Sequence, residues 1–487
     1  MTATPERAWG WLEAGWDLVP EAREDRVTWS YEPMNPWHVA FTPGPADRFR
    51  TEAYGQSLET PFGPAAGPHT QMAQNIVVAW LCGARFIELK TVQTLDRLDV
   101  NKPCIDMQDE GYNVEWSQEL RMYESFDEYL RAWVLIHALH RRLGFPGERP
   151  GVVFNMSVGY DLAGILRPNV QWYLDTMRDA SAYLGGYVEI VARHCPGVRE
   201  VPIPTALSDN VTLSTMHGCP PGEIERIAAY LLDERGLHTS VKCNPTLLGA
   251  ERVRGILHGD LGYRDVVVPD AAFGHDLRWE DAVPMFRRLQ AVAVGRGLHF
   301  GLKLSNTLEV ENRRGVFARD SMMYLSGRPL HALTVNLALA LAEGPAGRLP
   351  LSFAGGADCF NAPHLLACGL RPVTVCSDLL RSGGYLRLRQ YLETTDAALA
   401  AAGASDLDDL VRRTAGTEDP AAARLANLRA YATAVRTEPR YRKDAFETGH
   451  SKTARPLGLF DCIEAPCTDE CPVDQDVPQY MAAVREG

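Results

Sequence analysis

Residues 349–356, LPLSFAGG, and residues 371–378, RPVTVCSD, decide how the rest of the chain is read. Each is a short run of apolar and β-branched side chains. The first stops at a glycine pair, Gly355 and Gly356, and the second at a thiol and a hydroxyl, Cys376 and Ser377. Runs of this kind bounded by turn residues read as buried strands. Six more precede them: one within residues 58–66, then ARFIELKTV (84–92), GVVFNMSVG (151–159), NVTLSTM (210–216), TSVKCNP (239–245) and LHFGLKL (298–304). Amphipathic stretches at 171–194, 223–234, 279–294 and 329–342 lie between them. Strands alternating with helices predict a parallel sheet of βαβ units, and eight such units over roughly 330 residues predict an α/β fold closed as a (β/α)8 TIM barrel. In such a barrel the loops after the strands carry the chemistry, and the last two commonly hold phosphate.

Working outward from the barrel, the 487-residue chain is 46% hydrophobic and 23% charged, which supplies a core and gives no sign of disorder. Its net charge of −13 argues against a nucleic-acid partner, because phosphate backbones select basic surfaces. The N-terminal residues lack a basic stretch followed by an apolar run, and the apolar stretch at 333–341 is too short to span a bilayer, so no membrane span and a cytoplasmic location are expected. Of the 11 cysteines, eight are scattered singly, which does not suit a secreted disulfide framework. Cys462, Cys467 and Cys471 are crowded together instead. The expected organisation is an N-terminal extension (1–50), a barrel (51–400), a helical segment and linker (401–455), and the start of a cysteine-rich region (456–487). The stretch 249–279 is a long insertion that fits either a lid or a subunit contact.

The segments FGPAAGPHTQ (62–71), IELKTVQ (87–93) and VTVCSDLL (373–380) resemble the flavin barrel of dihydroorotate and dihydropyrimidine dehydrogenases. With GPHTQMAQN, CIDMQDEGYNVEWSQEL and TMHGCPPGEIE, nearly the whole chain resembles bacterial flavin and iron–sulfur proteins named as selenate reductase subunits. That resemblance implies a TIM barrel of dihydroorotate dehydrogenase type with a short helical C-terminal extension, and FMN at its mouth. Small residues at Ala65, Ala66 and Gly67 would let a planar ring approach backbone amides, although a tight turn explains them equally well. Lys90, followed by Thr91, ends one strand and Lys242 another; lysines in both places touch FMN in the family, and a cation there stabilises negative charge on a reduced flavin. The resemblance puts the FMN phosphate on Gly355, Gly356, Cys376 and Ser377, with Ser326 and Gly327 as a further contact.

Cys219 stands where the family's Cys-Pro supplies a general acid or base, and a buried apolar cysteine is the structural alternative. Asn113, Glu115, Asn306 and Thr307 match groups that hold a pyrimidine ring, although asparagines also serve as turn residues. One departure is Met216, three residues before Cys219, where pyrimidine-reducing relatives have asparagine. A barrel lysine would also suit a Schiff-base lyase, and a flavin-free scaffold subunit of an electron-transfer complex is the third possibility.

The C-terminal pattern Cys-x4-Cys-x3-Cys-Pro resembles the iron–sulfur region of the glutamate synthase small subunit and of dihydropyrimidine dehydrogenase. It implies a 4Fe-4S cluster on Cys462, Cys467 and Cys471, incomplete here because a preceding cysteine is replaced by Leu459. Zinc is the rival, one ligand short. The resemblance also implies FAD and NAD(P) domains, and with no G-x-G-x-x-G fingerprint near the end of the chain these are expected only in a further region or a partner. The expected partners are a small heterocyclic substrate and an electron-transfer domain or subunit.

Overall fold

A computed structural model describes residues 40–94, 103–107, 110–114, 119–214, 218–344 and 347–443. Eight strands run parallel: β1 (Phe62–Pro64), β2 (Phe86–Glu88), β3 (Val153–Val158), β4 (Asn210–Leu213), β5 (His238–Cys243), β6 (Phe300–Leu304), β7 (Leu351–Phe353) and β8 (Val373–Val375). Seven fall inside the runs read from the sequence, and β5 begins one residue before its run, at His238. Their order is β1-β8-β7-β6-β5-β4-β3-β2. The two ends of that order meet where the Arg85 N–H donates to the Phe62 carbonyl at 2.8 Å, so the sheet is a nearly closed barrel. Gly63 permits this approach, since a Cβ there would stand 1.6 Å from the Phe86 carbonyl oxygen.

Helices between the strands form the outer layer. Several start with proline in the first turn, where its missing N–H is not needed: Pro168–Arg178, Pro221–Asp233 and Arg328–Glu343. The helix Trp279–Arg296 stops at Gly297, which takes the left-handed conformation of a helix end. The amphipathic stretch 171–194 is two helices, Pro168–Arg178 and Ser181–Ala192. Asp179 is extended between them, and its carboxylate accepts the Ser181 N–H at 3.0 Å, starting the second helix.

The N-terminal end of the lumen is plugged by a hairpin, Thr51–Ala53 with Gln56–Leu58. Ala53 and Leu58 pack on Phe86 and Val153 as an apolar cluster separate from the main core. At the hairpin tip the Tyr54 hydroxyl lies 2.9 Å from Ser240 Oγ, and its ring stacks on His238. The opposite end carries a four-stranded antiparallel sheet in the order Leu308–Glu311, Met322–Ser326, Gly111–Asn113 and Ile105–Asp106.

Beyond the barrel, helices Leu407–Ala415 and Pro420–Ala434 pack against its outer ring. Asn427 Nδ2 donates to the Ala367 and Val411 carbonyls at 2.7 and 2.8 Å, and His331 Nε2 lies 2.7 Å from the Tyr431 hydroxyl. Among the described residues no helix is long and apolar enough to cross a membrane.

Candidate active site at the barrel mouth

The loops after β6, β7 and β8 converge with the antiparallel sheet on one small cradle. Gly327 precedes the helix Arg328–Glu343, and Gly356 follows β7; both have positive φ, 74° and 65°, which glycine adopts without strain. A Cβ on Gly356 would stand 2.2 Å from the Gly327 carbonyl oxygen, and one on Gly355 would stand 2.1 Å from Thr334 Oγ1. Ser377 Oγ donates to Ser326 Oγ at 3.1 Å. Thus Ser326, Gly327, Gly355, Gly356 and Ser377, spread over three loops, form one cluster of small groups and backbone amides beside a helix N-terminus. That arrangement favours a phosphate.

Beside the cradle the lumen is charged. Lys242 on β5 and Lys303 on β6 are register partners. The Lys303 ammonium pairs with the Glu88 carboxylate of β2. β2 and β6 lie on opposite sides of the eight-strand ring, so this ion pair crosses the lumen. Lys90, Lys303 and Glu88 are all nearly fully buried. Cys376 feels the charge of all three lysines, yet burial dominates and pushes its thiol up to about 12. Its sulfur lies 4.0 Å from His69 Nδ1. Burial, and then the neighbouring Lys90 charge, hold His69 down at about 4, so that imidazole is neutral. Burial lowers Lys242 to about 8.

Ala65 donates its N–H to the Val375 carbonyl at 2.8 Å, joining β1 and β8 at the mouth. Ala66 follows, and Gly67 begins the short helical turn Pro68–Thr70. The Thr91 hydroxyl lies 2.8 Å from Ser157 Oγ.

Cys219 opens onto a narrow cleft that it shares with Lys242, Asn244 and Asp276. Burial, with Glu223 and Asp161 adding to it, pushes the Cys219 thiol up to about 11. Gly218, next to it, is held from the insertion: Asp276 accepts the Gly218 N–H at 3.2 Å and also the Thr246 hydroxyl at 2.7 Å. The stretch 249–279 is therefore a folded brace containing helices Ala250–Arg254 and Asp270–His275. Asn113 is buried in the antiparallel sheet with Oδ1 unpartnered among the described residues. Asn306 Oδ1 accepts the Thr307 N–H at 3.0 Å, so part of its polar capacity goes to a local turn.

The sequence reading missed Glu88, Lys303 and Asp276 as site residues. A charged side chain inside a strand that otherwise reads as buried was the available signal for the first two. Glu115, Met216, Cys462, Cys467 and Cys471 lie outside the described residues. Among the described residues no group of three or more His, Cys, Asp or Glu is placed to hold a metal ion.

A family model described as the N-terminal TIM-barrel domain of the oxidoreductase YgfK matches residues 40–443. The chain belongs to that family. Two curated relatives, the proteins named as oxidoreductase YgfK in Escherichia coli strain K12 and in E. coli O157:H7, are each 41% identical over 457 residues. The match covers 89% of this chain and 42% of each relative, so the chain spans about two fifths of their length. Among solved structures, a ligand-free type DHODH from Eimeria tenella superposes with a TM-score of 0.50 at 17% identity, covering 83% of this chain and 97% of that one. The likeness establishes a DHODH-type barrel fold. The family is that of the N-terminal barrel domain of a longer oxidoreductase.

Proposed function

We propose that the barrel mouth binds FMN and that the chain acts as a flavin-dependent oxidoreductase on a small planar, pyrimidine-like heterocycle. Electrons would pass through iron–sulfur clusters to a partner domain or subunit carrying FAD and NAD(P). The observation that carries the flavin reading is the meeting of Lys90 and Lys242 with the cradle of Ser326, Gly327, Gly355, Gly356 and Ser377 in one mouth. The residues fit the cofactor on a second count. His69 Nε2, Thr374 Oγ1 and Asn113 Oδ1 are buried polar atoms without a hydrogen-bond partner among the described residues, which a polar ligand would satisfy.

When bound, FMN supplies the hydride chemistry. Backbone N–H groups at the cradle and the N-terminus of the helix Arg328–Glu343 hold its phosphate. Lys90 and Lys242 place positive charge where a reduced ring needs it. Asn113, with Asn306 and Thr307, reads the donor and acceptor edge of the substrate. Cys219 keeps its proton at neutral pH, because its thiol is pushed up to about 11, and so acts as the proton donor to the substrate. The iron–sulfur part rests on the spacing of Cys462, Cys467 and Cys471.

The test is anaerobic purification, a visible spectrum and identification of any released flavin. One FMN per chain supports the reading; a chain that cannot be loaded with FMN defeats it. A second reading, a Schiff-base lyase, is favoured by one observation. Lys242 is lowered to about 8 and offers some neutral amine near pH 7. Borohydride trapping of a carbonyl substrate on Lys242 would select it.

A further inference from the structure

The lumen of a (β/α)8 barrel is usually filled by branched apolar side chains. Here the layer beneath the mouth is crossed by Lys303 and Glu88, 4% and 1% exposed. Burying two ions costs several kcal/mol each before their attraction is counted, so such a pair is poor material for stability alone.

Lys90 and Lys242 face the mouth, and Lys303 lies beside Lys242 in register. His69 is neutral and the Cys376 thiol keeps its proton, so neither offsets the lysines. Glu88 is the carboxylate that pairs with Lys303. Whether the shared proton sits on Lys303 or on Glu88, the pair is neutral as a whole.

We infer that the Glu88–Lys303 pair is a charge-setting and positioning element for the flavin: Glu88 ties the Lys303 ammonium down in the lumen and cancels its charge, fixing how strongly reduced FMN is favoured over oxidised FMN. This rests on the flavin reading above. Neither residue touches the flavin; both act through the field at the mouth. Replacing Glu88 by a neutral side chain leaves an extra cation while Lys303 stays protonated, which favours the anionic reduced ring. Replacing Lys303 leaves an extra anion while Glu88 stays ionised, which favours the oxidised ring. A lone buried lysine loses its proton as pH rises, and a lone buried carboxyl gains one as pH falls. The first effect is therefore largest at acid pH and the second at alkaline pH.

The experiment measures dissociation constants of oxidised and reduced FMN, with the midpoint potential, for the full chain, Glu88→Gln, Lys303→Met and the double variant, from about pH 6 to about pH 9. Glu88→Gln is expected to shift the ratio of the two constants toward reduced FMN by roughly tenfold at the acid end, ~30 mV for a two-electron couple. Lys303→Met is expected to shift it by a similar factor toward oxidised FMN at the alkaline end. The double variant returns close to the parent, because the charge is again balanced. All variants are prepared with saturating FMN, which stabilises the folded chain. If Lys303→Met still does not fold, Lys303→Gln, which can donate to Glu88, takes its place. Single variants that shift in the same direction, or not at all, while the parent binds FMN overturn this inference alone. A parent chain that binds no FMN overturns it together with the flavin reading.

Discussion

At the N-terminal end of the barrel the lumen is closed by Ala53, Leu58, Phe86 and Val153, all buried, under the Tyr54 ring. At the other end the same strands present Glu88, Lys90, Lys242, Lys303 and Cys376. Phe86 and Glu88 stand two residues apart on one strand, so both point into the lumen, yet one packs on the hairpin and the other meets an ammonium. The lower end lowers the free energy of folding by removing apolar surface from water. The upper end raises it by burying charge, and an arrangement that opposes folding is where a ligand is to be sought. The contrast also separates the measurable consequences: damage below should appear in stability, and damage above in chemistry and binding.

The largest expected effect tests the upper end. Cys219→Ala should lower turnover by about 10²- to 10⁴-fold while FMN content and melting temperature stay unchanged, a range typical of a lost general acid. Steady-state assays with flavin quantified on the same sample check it; undiminished turnover removes Cys219 from the mechanism. Below, Leu58→Ala should cost about 2–5 kcal/mol of folding free energy through the cavity it leaves. Denaturant titration measures the loss, and the FMN dissociation constant of the surviving folded chain should be unaltered. A large change in FMN affinity would show that the two ends are coupled.

Gly356→Ala is next in size. Its Cβ would meet the Gly327 carbonyl oxygen, and the backbone lies in the left-handed region, so FMN affinity should fall by roughly tenfold or more. Fluorescence titration gives the constant, and parent-like affinity would move the phosphate elsewhere.

The smallest effect is electrostatic. Lys242 titrates at about 8 in the folded chain, below its ordinary 10.5, so between those values the unfolded chain binds more protons. FMN-free chain should therefore gain stability as pH rises through that window, by about 1 kcal/mol once solvent at the mouth is allowed for. Urea midpoints at the two ends of the window check this, and Lys242→Met should reduce the slope, leaving the share of Lys303, which burial lowers to about 7. FMN binding near pH 8 should take up protons, because an anion at the mouth raises the lysine again. Calorimetry in buffers of different ionisation enthalpy reads that uptake.

Much of the upper end was legible in the chain itself. Gly355 and Gly356 after one strand, and Cys376 and Ser377 after the next, announced a polar strand-end face, and the folded chain brings Ser326 and Gly327 to the same place. Asn306 shows the limit of that reading, since its side-chain carbonyl turns back to the Thr307 N–H. The amphipathic pattern at 171–194 continues across Asp179, where the chain nevertheless breaks. Hydrophobic periodicity reports which face is covered and does not report a change of helix axis.

By itself the sequence determined the eight strands, their alternation with helices, and the strand ends that carry lysine, glycine and hydroxyl groups. These follow from local periodicity and turn chemistry, which neighbouring residues decide among themselves. Only the tertiary structure decided that Glu88 meets Lys303, that Asp276 holds Gly218 beside Cys219, and that Gly63 must lack a side chain. Each depends on how a sheet of short strands curls until its first and second strands touch, and that closure brings together residues that no local pattern relates.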